Sequence, residues 1–315
     1  MHRYQRIVHL FVFVILVALT YDTQYNPFSP TVTDVSIVDV AKVDNELYQE
    51  IKKKSVTYNE ESQDAYIDRV WKKTPGRNGL KVNVEESYEQ MKKKGTFDES
   101  LLVYEEIPPE TTLQQLPAAP IYRGHPEKEM VALLINVSWG EEHLPKILEV
   151  LDDHHVQATF FIEGKWAKEH ADFVKMIDQE GHLIGNHAYN HPDMARISHQ
   201  AITDQLSQTN DIIKGITGKT PQWFAPPSGS YSDEVVDIAY HLKMETILWT
   251  VDTIDWKNPS VSVMINRVMG KIHPGATILM HPTSAVAEGL DPLIDEIKEK
   301  EYKIGTVEQL LSEKR

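Results

Sequence analysis

The sequence predicts an α/β fold from about Met130 onward, a parallel barrel or doubly wound sheet, preceded by a small α+β module. Three observations carry this. Short apolar runs of strand length alternate there with amphipathic segments of helix length. Single helices between successive strands imply parallel pairing. Polar residues suited to chemistry fall just after the strands, where such folds collect their active sites.

The chain opens with His2, Arg3 and Arg6 before an apolar run from Ile7 to Leu19, broken only by His9. A basic flank and an apolar core read as an export signal. The run is shorter than the roughly 20 residues of a full span, and no A-x-A cleavage site follows. Residues 1–21 are therefore a cleaved signal peptide or an uncleaved anchor through residues 7–19. Either way the remainder faces the outside of the membrane or the cell wall. Residues 22–64 are polar and read as a poorly ordered stalk.

Residues 65–107 form the α+β module. Val84, Tyr88 and Met91 have helical spacing, and Lys92-Lys93-Lys94-Gly95 closes that helix with positive charge and a glycine. Leu101–Tyr104 is a short strand candidate. Pro108, Pro109, Pro117 and Pro120 mark residues 108–128 as a linker. Residues 129–315 carry the main domain. Its strand candidates are Val131–Val137, Ala158–Ile162, Leu183–Gly185, Trp223–Phe224, Thr246–Val251, Ala276–Met280 and Tyr302–Ile304. Helices are expected from Pro145 to His154, after the Ser198 cap, and over Asp233–Leu242, Ser260–Ile272 and Asp291–Lys300.

Hydrophobic residues make up 41% and charged residues 25% of the 315, enough for a real core. A net charge of −15 disfavours nucleic acid and anionic headgroups as partners. The chain has no cysteine, which excludes disulfides, thiolate metal sites and a thiol nucleophile.

Five segments at strand ends could carry chemistry: Asn136-Val137-Ser138-Trp139-Gly140, Asn186-His187-Ala188-Tyr189-Asn190-His191, Phe224-Ala225-Pro226-Pro227-Ser228-Gly229, Asp252-Thr253-Ile254-Asp255-Trp256 and Met280-His281-Pro282. His187 and His191 can ligate one divalent ion through imidazole nitrogens. Alone each segment is ambiguous; their order is not.

In that order they resemble the motifs of the polysaccharide deacetylases (NodB homology domain, carbohydrate esterase family 4), closest to the sporulation-linked deacetylase-like branch of Bacillus-type spore formers. The resemblance implies a distorted (β/α) barrel and metal-dependent hydrolysis of N-acetyl groups on cell-wall amino sugars, with peptidoglycan or a related polymer as partner. It implies a divalent metal, zinc or cobalt, on His187 and His191. It makes His281 the catalytic acid, oriented by Asp252 or Asp255. The family's T-F-D-D-G motif supplies a base and a third metal ligand. Matched without gaps along the strand, those positions fall on Asn136 and Val137, and the arginine that holds the base falls on Ala225. Neither an amide nor an alkyl group does that chemistry, so impaired or altered activity is expected. Glu141, Glu142 or Asp193 is the available substitute carboxylate. The alternative is a catalytically inactive glycan-binding or spore-envelope assembly module, with Trp139, Trp223, Trp256 and Pro227 lining a sugar groove.

Overall fold

The computed structural model describes residues 37–315, with side chains from Glu46, and before them only Tyr4, His9 and Val12. The apolar run 7–19, and with it the export signal or anchor, otherwise lies outside the described residues. Among those described, no helix is long and apolar enough to cross a membrane.

The chain divides into two compact units, one built from residues up to Val56 and from Asn83–Val103, the other from Thr57–Val82 and Tyr104–Arg315. In the first, residues 37–58, expected as part of a stalk, instead form helix α1 (Ile37–Tyr58). Leu47 and Ile51, one turn apart, bury against Met91 of α2 (Val84–Met91), with Val84, Tyr88 and Leu101 packed around them. Polar composition hid this helix because its apolar stripe is narrow. Asn83 caps α2, its Oδ1 accepting from the Glu86 N–H at 3.0 Å. The strand expected at Leu101–Tyr104 starts later: Leu101 ends a 3₁₀ turn (Glu99–Leu101) and the strand runs over Tyr104–Ile107.

The second unit contains two antiparallel pairs, β1 (Tyr66–Asp68) with β2 (Lys72–Thr74) and β3 (Gly79–Val82) with β4 (Tyr104–Ile107). Its main sheet is all parallel, in the order β10-β11-β5-β6-β7-β8-β9, with β12 also on β5. These strands are β5 (Met130–Val137), β6 (Thr159–Ile162), β7 (Leu183–Asn186), β8 (Trp223–Phe224), β9 (Glu245–Thr246), β10 (Val251–Asp252), β11 (Thr277–Met280) and β12 (Lys303–Gly305). The sheet curls into a half-barrel under helices that include α3 (Leu144–Asp153), α6 (His199–Thr217) and α9 (Ser284–Glu299). A short helix pair, Gly164–Glu169 and Ala171–Gln179, follows β6 where the sequence suggested none.

Two expectations are corrected here. The strand foreseen at Thr246–Val251 divides into β9 and β10, which do not pair with each other. Residues 108–128 are not a free linker. Ile121 is 1% exposed and is held by its own N–H on the Thr246 carbonyl and by the Leu248 N–H on its carbonyl, both at 2.8 Å. Proline excludes helix and interior strand from such a stretch, but it does not exclude packing.

Strand periodicity positions the site. On β5, Val131, Leu133, Ile135 and Val137 enter the apolar cluster beneath the helices. Ala132 and Leu134 enter a separate cluster on the other face of the strand, with Phe161, Ala225 and Ile247. Side chains alternate along a strand, so Asn136 shares this second face at its C-terminal end.

Candidate active site

Beyond Asn136 the chain turns sharply at Gly140, where φ is +83° and a side chain would collide with the Pro282 carbonyl oxygen. This close approach ties the tip of β5 to the segment after β11. It sets the Trp139 ring parallel to His281, with an interplanar angle of 9° and centroids 6.1 Å apart.

His281 is held by Asp255, which is 1% exposed. One carboxylate oxygen accepts the His281 backbone N–H at 2.6 Å and the other accepts from Nδ1 at 2.9 Å. Only Nε2 remains to meet a ligand. Asp255 therefore orients the histidine. Asp252 instead accepts from the Ile254 N–H at 2.8 Å and lines the cleft beside it.

His187 leaves the end of β7 fully buried and donates from Nδ1 to the Ala225 carbonyl at 2.7 Å. Its Nε2 is thereby left as an acceptor. Burial, then the charge of neighbouring His191, pushes its pKa down to about 3. The His191 ring lies 5.2 Å away, and its pKa is also lowered, chiefly by burial. The loop carrying them is fixed by Asn186, whose amide donates to the Leu206 carbonyl at 2.9 Å and to Asn210 Oδ1 at 2.8 Å.

These groups converge on one cleft of about 460 Å³. His187, His191, Asp252, His281, Trp139, Trp256 and Asn136 line it as expected, together with Ser138, Ser228 and Trp249. Trp223 does not. It opens β8 at the opposite end of the strand and borders a different cavity with Tyr240 and Met244. Trp249 takes its place, packed over Gly229, whose φ is +67°. Pro227 is buried and does not line the cleft.

Val137 is also absent from the cleft, being fully buried in the cluster beneath the helices. Nothing attached there reaches a metal between His187 and His191. Ser138 and Trp139 reach the cleft instead, immediately before Gly140. Anchoring the family motif on its glycine, rather than running it along the strand, would have found them. Glu141, Glu142 and Asp193 do not line the cleft either. Asp193 is engaged by Arg196 at 3.1 Å and by the Ser230 hydroxyl.

The donor set does not fit a catalytic metal. Such a zinc has three protein ligands, and no carboxylate joins His187 and His191. Among the described residues the one group of three His, Asp or Glu side chains close enough to share an ion is His154, Asp291 and Asp295. That group lies outside the cleft, and the Lys298 ammonium sits 3.2 Å from His154 Nδ1. One buried polar atom in the cleft, Asn136 Oδ1, has no hydrogen-bond partner.

Comparison with known proteins agrees with this picture. Residues 123–247 match the polysaccharide deacetylase family. The chain is 47% identical to the uncharacterized protein YlxY of Bacillus subtilis over 315 residues, covering 99% of each. It is 34% identical to a peptidoglycan-N-acetylglucosamine deacetylase of Bacillus cereus, over 59% of this chain and 70% of that one. Among solved structures, BA3943 of Bacillus anthracis, described as a CE4 family pseudoenzyme, superposes with a TM-score of 0.82 at 53% identity, covering 85% of this chain and 96% of that one. A mutant of BA3943 is described as having restored enzymatic activity. With the half-barrel and the five motifs in place, this chain belongs to the polysaccharide deacetylase family, carbohydrate esterase family 4.

Proposed function

We propose that this chain is a catalytically impaired deacetylase-family protein that binds an amino-sugar polymer of the cell wall in the cleft without appreciable hydrolysis. One observation carries the reading. The two residues that precede Gly140 and enter the cleft are Ser138 and Trp139, where the family's T-F-D-D-G motif places its base and its anionic metal ligand. A neutral hydroxyl is a poor base near neutral pH, and losing a positioned base costs about 10²–10⁴-fold in rate. Without the carboxylate ligand, His187 and His191 are too few for a catalytic metal. The part that survives, the His281–Asp255 pair, is the proton donor, which has nothing to assist without an activated water.

The wall assignment rests on peptidoglycan deacetylases among the relatives. Export, anchoring through residues 7–19 and a place in the spore envelope belong to the same proposal. The test is acetate release from peptidoglycan and chitin oligomers at high protein concentration with added zinc or cobalt. No release, together with retained binding in a glycan pull-down, is expected; turnover would overturn the reading.

A further inference from the structure

The cleft is built for a hydrogen-bond donor that carries positive charge, and we infer that it prefers amino sugars whose nitrogen is free over those that are N-acetylated. This rests on the glycan-binding reading above and narrows it to one chemical class.

Four features converge. The Asn136 side chain is 4% exposed, yet its Oδ1 has no partner. An orphaned buried acceptor is costly until a ligand donates to it. His187 has spent its N–H on the Ala225 carbonyl, which leaves Nε2 as a second acceptor on the same floor. Asp252 adds a carboxylate to the lining, and no Lys or Arg lines the cleft to cancel it. Trp249 supplies a ring face, which can stack on a sugar ring and attract a cation, while Trp139 already stacks on His281 and Trp256 already carries the Lys257 ammonium 4.8 Å from its centroid. An acetamido group brings one N–H, and a carbonyl oxygen whose donors here are His281 Nε2 and the Ser138 and Ser228 hydroxyls. A free amino group brings several N–H donors and, protonated, a charge matched to Asp252. The volume, about 460 Å³, lies within the range of about 300–1,000 Å³ usual for small-ligand clefts. In chemical order, the reaction that must supply such a ligand is N-deacetylation of the same polymer.

The experiment titrates the purified chain, in buffer with a chelator, with glucosamine tetramers and N-acetylglucosamine tetramers, following tryptophan fluorescence and heat. The glucosamine oligomer is expected to bind about tenfold tighter. Asp252→Asn is expected to bring the two affinities close together by weakening the glucosamine oligomer more than the acetylated one, and Asp252→Glu to restore part of the preference. Equal or tighter binding of the acetylated oligomer overturns the inference but leaves the glycan-binding reading standing. A preference that survives Asp252→Asn also overturns it, since that would be bulk attraction to a chain of net charge −15. Binding of neither oligomer overturns both.

Discussion

The Asp255 carboxylate grips His281 twice, accepting its backbone N–H at 2.6 Å and its Nδ1 at 2.9 Å. Position and tautomer of the histidine are thus set by one buried group. Asp255→Ala is expected to destabilise the fold by about 1.5–3 kcal/mol, the cost of removing hydrogen bonds to a charged acceptor. Asp252→Ala, with one local bond at 2.8 Å, is expected to lose less than about 1 kcal/mol. Urea denaturation of both variants checks the order; equal losses would refute the division of roles.

Register at the tip of β5 can be tested directly. Val137→Asp places a carboxylate in an apolar cluster, where Val137 is 0% exposed. A cost of about 3–5 kcal/mol, or failure to fold, is expected, with no gain in metal binding. Ser138→Asp with Trp139→Asp is expected to give a protein that retains zinc or cobalt through dialysis and releases acetate from N-acetylated oligomers. Metal analysis and acetate assay of both variants decide which pair occupies the site.

Ala225, 1% exposed, stands where the family has an arginine. An arginine added there alone is an unpaired buried charge. Ala225→Arg is expected to lose about 3–5 kcal/mol, and Ser138→Asp in the same chain to recover part of it. A double-mutant cycle by thermal melting measures the coupling; additive losses would show that the two positions do not communicate.

The aromatic lining separates two tryptophans. Trp249→Ala is expected to weaken glycan binding about tenfold, whereas Trp223→Ala, on a different cavity, is expected to leave it unchanged. Loss of binding in Trp223→Ala alone would move the ligand site.

Stability should fall as the medium is acidified. Burial pushes His187 down to about 3, and His125 and His182 down to about 4. These rings exclude a proton that the unfolded chain accepts below about 6.5. Their contribution is therefore complete above pH 6.5 and is lost as pH falls from there toward 4. Each ring adds a slope of up to about 1.4 kcal/mol per pH unit. Glu163, raised by burial, works in the opposite sense. Denaturant midpoints at pH 7 and pH 5 test the net direction; an unchanged midpoint would mean the rings are hydrated.

Much of this was legible in the chain itself. The alternation of apolar runs with amphipathic segments determined a parallel α/β sheet, because strand and helix periods differ and each imposes one buried face. The residue types after the strands pointed to the family and brought His187, His191, His281 and the alternatives Asp252 and Asp255 toward one site, because parallel strands present their C-terminal ends together; the hydrogen bonds to His281 select Asp255. What only the tertiary structure decided was side-chain direction and what packs against a loop. Val137 and Ser138 are neighbours in sequence, but Val137 is buried in the core and Ser138 lines the cleft. Trp223 and Trp249 are the same residue type at opposite ends of the strands. The packing of residues 108–128 along the strands, and the burial of one stripe of α1, depend on partners distant in sequence. A local pattern reports the period of a segment, and distant partners decide what that segment touches.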